Sequence, residues 1–199
     1  MRGWIAGLVT AGGALLASGP LVGYSGPDYA KLKALLPPAP CAALCYARTY
    51  DADHLKRHPR QLVTEMVLSL RYVILGEDRV VHEATEDGGT KKRYFEYDFT
   101  LAARTRGQSE TLYASGDCAS AEAIGCGVEC DGGGIGIEPV GGGCTGVLVR
   151  LERIRMTLGC SDGPDVELEG GADDKLFKLS RAPGRLCDAV EADAHKPPQ

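Results

Sequence analysis

Between Gly116 and Gly146 the chain reads G-D-C-A-S-A-E-A-I-G-C-G-V-E-C-D-G-G-G-I-G-I-E-P-V-G-G-G-C-T-G, and this stretch limits the folds open to it. Four of the eight cysteines lie here (Cys118, Cys126, Cys130 and Cys144), beside the triplets Gly132–Gly134 and Gly141–Gly143. Glycine at this density destabilises a helix interior and favours tight turns and close backbone approach. Cysteine at this density points to cross-links. The stretch therefore predicts short strands and turns stapled together, with no room for a long helix.

The flanking sequence supplies alternating strands. Leu62, Met66, Leu68, Leu70, Tyr72 and Ile74 share one face with Thr64 as the exception, while Glu65, Ser69 and Arg71 take the other. Phe95, Tyr97, Phe99, Leu101 and Ala103 repeat the pattern against Glu96, Asp98, Thr100 and Ala102. Period-two alternation is the mark of a half-buried strand. Further strands are predicted over residues 111 to 117, 124 to 130, 135 to 139, 145 to 158 and 175 to 180. The expected fold is mainly β, an antiparallel disulfide-stapled barrel or sandwich of about eight strands. In a barrel, the apolar face of Leu62 to Ile74 lines the interior.

The N-terminal part predicts helix. A short turn of helix is expected over Tyr29 to Leu36, ended by the proline cluster of residues 37 to 40. Residues 41 to 58 also read as helical, because Cys41, Leu44, Cys45 and Arg48 fall at i, i+3, i+4 and i+7. Asp51 caps a second short helix that stops at His58, ahead of Pro59.

The first 25 residues read as a signal peptide: Arg2, then an uncharged apolar run from Trp4 to Ala17 that is too short to span a bilayer. Gly23-Tyr24-Ser25 satisfies the small-residue rule for cleavage, whereas a cut after Gly19 would leave Pro20 first. Residues 26–40 read as a Pro-rich linker, 41–188 as one cysteine-rich β-domain, and 189–199 as a disordered tail. No membrane span is expected in the mature chain, and export places it in the periplasm or outside the cell. There the even set Cys41, Cys45, Cys118, Cys126, Cys130, Cys144, Cys160 and Cys187 is expected to form disulfides, in a pairing that spacing leaves open. Loss of Arg2 moves the formal charge from −5 to −6, and an acidic domain has no general attraction for nucleic acid. The basic runs Lys91-Lys92-Arg93 and Arg150, Arg153, Arg155 alternate with acids and read as solvated strand faces. The one tryptophan, Trp4, lies in the leader, which weakens the case for a carbohydrate surface.

Chemistry-bearing motifs are few. Asp51-x-Asp53-His54-x3-His58 is the best constellation, since His54 and His58 one helical turn apart, with Asp51 in reach, make a spacing that can hold a metal. The competing reading is a capped polar helix end, and H-E-x-x-H is absent. Gly132–Gly136 lacks the helix and lysine of a phosphate loop, and a single G-G-x-G unit is too little for a calcium β-roll. No serine stands in G-x-S-x-G.

The run C-Y-A-R-T-Y-D-A-D-H-L-K-R-H-P-R-Q-L-V-T-E-M-V-L-S-L (Cys45 to Leu70), with the later E-C-D-G-G-G (Glu129 to Gly134), resembles uncharacterised exported cysteine-rich proteins of alphaproteobacteria. The resemblance implies an exported setting and carries no catalytic residue with it. The expected function is a non-enzymatic binding domain, without cofactor, for a small ligand or an envelope or secreted partner protein, with inhibition of a hydrolase as one form of it. The alternatives are a structural envelope protein and a small metal-dependent hydrolase using His54 and His58.

Overall fold

The computed structural model describes residues 29–39, 41–73, 80–84, 90–94, 96–120, 122–129, 131–141, 145–157, 165–171 and 173–195. The leader expected at 1–25 lies outside them, as do Cys130, Cys144 and Cys160. Eleven strands are described: β1 (Ala43–Thr49), β2 (Val63–Tyr72), β3 (Val80–Ala84), β4 (Thr90–Tyr94), β5 (Tyr97–Thr105), β6 (Leu112–Ser120), β7 (Ile124–Gly127), β8 (Gly133–Val140), β9 (Gly146–Met156), β10 (Val166–Glu169) and β11 (Leu176–Arg181). The helices are α1 (Ala30–Leu35), α2 (Ala52–Arg57) and α3 (Gly184–Ala194). Among the described residues, no helix is long and apolar enough to cross a membrane.

Of the two architectures expected, the barrel is the one formed. The strands run β9-β11-β1-β2-β5-β6-β7-β8, and the pairing of β8 with β9 closes the ring, antiparallel throughout. β10 prolongs one edge of β9, and β3–β4 is a separate hairpin. Consecutive strands are neighbours apart from these two insertions, which makes an up-and-down meander. Closure removes the open edges that a sandwich would have to protect.

The predicted alternation places the core. Met66, Leu68 and Leu70 of β2 and Tyr97, Phe99 and Leu101 of β5 point inward and are fully buried with Tyr46, Val149, Leu151, Phe177 and Leu179. Ile74 and Phe95 fall outside the described residues. Leu62 does not belong to this face, being 55% exposed. The register of β2 against β5 slips between Val63 and Glu65, so Thr64 is an extra residue. That bulge exchanges the faces and turns Val63 inward instead. The inward side chains form one buried cluster that fills the barrel, one of the two states open to an eight-stranded ring. The apolar face of β2 therefore packs the interior and does not line a ligand chamber.

The helix expected over residues 41 to 58 is a correction. Residues 43–49 form β1, and helix is confined to α2. Both faces of β1 are covered: Tyr46 fills the barrel, while Cys45 lies under α3 on the outside. Two-sided burial erases the polar half of a period-two pattern, and what remains mimics helical spacing.

The segment expected as a linker is a stopper. Leu32 and Leu36 of the α1 segment are buried in the barrel core, the Tyr97 hydroxyl donates to the Leu36 carbonyl at 3.0 Å, and Lys33 pairs with Glu96 at 2.9 Å. Burial pushes the Tyr97 phenol up to about 12, with Glu96 and Tyr72 adding to the shift. Nor is the C-terminal segment from residue 189 all tail, because α3 continues to Ala194. Its Leu186, Cys187 and Val190 pack over Cys45, Val67 and Ala102 on the outer wall. The Ser69 hydroxyl and Arg71 (2.5 Å) both engage Glu191.

Two disulfides are described. Cys45–Cys187 ties α3 to β1 across 142 residues, and Cys118–Cys126 joins facing positions of β6 and β7 inside the barrel. They belong to a chain that matures outside the reducing cytoplasm. Cys41, expected in the disulfide set, is exposed and unbridged among the described residues.

The glycine stretch supplies β7 and β8. Gly133 sits at φ 72, and a Cβ there would lie 2.2 Å from the Arg153 carbonyl oxygen. Its left-handed backbone and lack of side chain let β8 turn tightly against β9. The carboxylates that alternate with the apolar residues each have a cation: Glu65 with Arg104, Glu96 with Lys33, and Asp98 with Arg71. Arg153 and Arg155 likewise pair with Glu167 and Asp165.

Candidate functional site

β1 and β11 close the ring at a short seam. They keep register at Tyr46–Arg181 and Ala47–Ser180, whereas β1 follows β2 along its whole length. Where the seam opens, α2 folds across the mouth opposite α1 and leaves a groove of about 220 Å³. Arg48, Tyr50, His54, His58, Asp173 and Lys178 are among its lining residues, with Phe177 and Gln61 behind.

The segment from Asp51 to Val63 is held by polar contacts that leave it little freedom. The Asp51 carboxylate accepts from the His54 backbone N–H at 2.7 Å, capping α2, and this bond is the main cause holding its carboxyl below the usual range. Arg106, just past β5, donates to the carbonyls of Leu55 (2.7 Å), His58 (3.0 Å) and Gln61 (2.7 Å). Leu55 lies in the last turn of α2, where carbonyls have no partner within the helix, and a guanidinium fork ties it to the carbonyls of the two residues beyond the helix end. The Asp174 carboxylate accepts from the N–H groups of Leu62 (2.5 Å) and Val63 (3.1 Å).

Gln61 is buried and links the histidines to the strand. Its Nε2 donates to the Val63 carbonyl at 2.7 Å, which turns Oε1 toward His54 Nε2 at 3.0 Å. His54 therefore carries a proton on Nε2, since an amide oxygen only accepts. Tyr50, His54 and His58 form a continuous series of rings, with centroids 4.6 and 4.4 Å apart. Phe177 meets Tyr50 at 6.4 Å, and the Arg48 guanidinium stands 5.4 Å over the Tyr50 ring. Burial raises the Tyr50 phenol, opposed by Arg48 and assisted by Asp174.

The structure thus brings His54 and His58 together, as their spacing predicts, but sends Asp51 elsewhere. Its carboxylate faces the helix N-terminus, and among the described residues no three His, Cys, Asp or Glu side chains converge to hold a metal. Sequence reasoning did not find Arg48, Gln61, Asp173, Phe177 or Lys178. Arg48 was hidden by the helical reading of β1: opposite Met66, it is a cation at an inward-facing position. Asp173 and Asp174 lie between β10 and β11 in a run of acids and glycines, with no local signal of what they face.

Three larger depressions are described: two, about 460 and 580 Å³, over β7–β9, and one of about 410 Å³ beside Leu62, Val63 and Leu168, edged by Glu167 and Glu169. The 580 Å³ depression is floored largely by glycines, Gly125, Gly134 and Gly136 among them, with Arg150, Glu152 and Arg153 at its sides. The 460 Å³ one is lined by apolar side chains such as Ile137, Pro139 and Leu148, with Lys31, Glu122, Glu138 and Arg150. None of the three is lined by an aromatic ring, which is what sets the groove beside α2 apart.

Asp174 gives a stability test of this framework. It is 3% exposed, and burial raises its carboxyl above the usual value, against the pull of the two N–H donors. Asp174→Ala is expected to destabilise the fold by about 1–3 kcal/mol for each N–H left unpaired. A raised folded-state value stabilises most when the group is protonated. The wild-type advantage is therefore full below the ordinary aspartate range and shrinks as pH rises through the raised value. Denaturant unfolding of both proteins from pH 3 to pH 7 checks the cost and its direction.

No protein-family model matches this sequence, and neither a curated protein nor a solved structure does.

Proposed function

We propose that this protein is an exported, non-enzymatic binding domain, periplasmic or secreted, that holds a small ligand in the groove beside α2. The carrying observation is the groove itself: a wall of Tyr50, His54 and His58 rings under Arg48, fixed to a filled and cross-linked barrel. Preorganised walls bind without a cost of ordering loops. The two disulfides and the resemblance to exported cysteine-rich proteins support the compartment. The polar groups here work as scaffold: Asp51 caps, Gln61 bridges, and Asp174 holds β2. That use of Asp51 weighs against a metal-dependent hydrolase.

A partner-protein version of the reading, such as an inhibitor, draws on the turn at Asp131. Its φ of 60 is held by Arg153 donating to its carbonyl at 3.0 Å, which makes a stiff exposed loop. A structural envelope role is the remaining alternative.

The test is the mass of protein exported by its own host, measured natively and after denaturation without reductant. The expected native form is heavier by a small organic molecule that leaves on denaturation. A native mass equal to the bare oxidised chain favours the structural reading, and an excess equal to one divalent metal returns the histidines to a metal role.

A further inference from the structure

We infer that the groove beside α2 selects small aromatic carboxylates: the anionic head meets Arg48 and Lys178, and the planar body lies against the half-buried rings of Tyr50, His54 and His58. This deepens the small-ligand reading and rests on it.

Charge comes first. Arg48 and Lys178 both line the groove and are exposed. Among the described residues, neither has a carboxylate within ion-pair distance, in contrast to Arg71, Arg104, Arg153 and Arg155 elsewhere on the barrel strands. The single acid on the lining, Asp173, is already engaged by Arg60 through its backbone N–H at 3.3 Å and Nε at 3.9 Å. Asp174, its neighbour, is turned to the N–H groups of Leu62 and Val63. The groove is thus a locally positive recess on a chain of formal charge −5. A concave site of one sign concentrates its field on a small anion.

The position of Arg48 supports the same conclusion. It stands opposite Met66, on the face whose other members fill the barrel. An apolar residue there would extend the core. Instead a guanidinium is held over the Tyr50 ring at 5.4 Å with its donor edge left free of acids. A planar fork of donors is the group best matched to a carboxylate.

Shape supplies the second half. The rings of Tyr50, His54 and His58, with Phe177 buried behind them, give a flat aromatic wall, and offset ring contacts favour a planar guest. A volume of about 220 Å³ suits a single-ring acid and is small for a drug-sized or polymeric ligand.

The experiment titrates the oxidised full-length mature protein with benzoate, benzamide and acetate, following the Tyr50, His54 and His58 resonances by NMR. Benzoate is expected to saturate the site, with benzamide and acetate each weaker by about tenfold or more. In Arg48→Gln/Lys178→Gln, benzoate weakens to the level of benzamide while thermal unfolding is unchanged, since both side chains are exposed. A second variant, Tyr50→Leu, is expected to lose the preference for benzoate over acetate. Equal binding of benzoate and benzamide overturns the inference, as does benzoate binding that ignores the double variant. So does failure of benzoate to bind at millimolar concentration. If the host-exported protein carries a neutral small molecule in this groove, the binding reading stands and this inference alone fails. A bare chain that also ignores every probe removes both.

Discussion

Replacing Cys45 and Cys187 together by alanine is expected to lower the unfolding free energy by about 5 kcal/mol, roughly twice the cost of removing Cys118–Cys126. The difference comes from loop length. The first bridge closes 142 residues and the second closes 8. A cross-link removes conformational entropy from the unfolded chain in proportion to the logarithm of the loop it closes, which gives about 5 kcal/mol against about 2.5 kcal/mol. Loss of the first bridge also frees α3, whose Leu186 and Val190 cover the outer wall of β1, β2 and β5. Denaturant unfolding of the two double variants checks the ordering, and the long-loop variant should show the steeper dependence on denaturant because its unfolded chain expands further. Equal losses would show that local packing, and not chain restriction, is what these bridges contribute.

Gly133→Ala is the substitution expected to do most damage in the glycine stretch, at about 3–5 kcal/mol. Two causes add. The residue sits at φ 72, where a Cβ is strained by itself, and that Cβ would stand 2.2 Å from the Arg153 carbonyl oxygen. The obstacle is backbone on a paired strand, so it cannot swing aside, and β8 would have to part from β9. Gly125→Ala is the control. It lies on β7, with nothing within 4 Å of the added methyl. There the change is expected to be neutral or stabilising by up to about 1 kcal/mol, because alanine loses less backbone entropy than glycine on folding. Thermal unfolding of the two variants side by side separates conformational necessity from simple abundance of glycine. Equal effects would remove the argument that the β8 turn requires glycine.

Much of the fold was legible because so many strands bury only one face. The alternation in Met66–Leu70 and Tyr97–Ala103 is visible for that reason, and the barrel uses those residues as the pattern implies. Legibility failed where burial became two-sided or came from afar. β1 is covered inside by the barrel and outside by α3, so its pattern no longer marks a strand. Leu32 is apolar in a short, proline-flanked segment, and nothing local announces that it plugs a barrel mouth. At the groove, the His54–His58 spacing is local and could be read directly. The partners that define their surroundings are not: Asp173 and Lys178 lie more than a hundred residues further along the chain.

Local pattern was enough to make this chain a mainly antiparallel β protein with turns at its glycine clusters, to cap α2 with Asp51, and to bring His54 and His58 one turn apart. These are consequences of short-range sterics and of one-sided burial, which act within a few residues. Only long-range packing could decide that the sheet closes as a barrel, that Cys45 meets Cys187, and that Arg48 and Lys178 face one recess whose single acid, Asp173, is engaged by Arg60. Those outcomes depend on strand order and register, which set the distance between residues remote in sequence and leave no local trace.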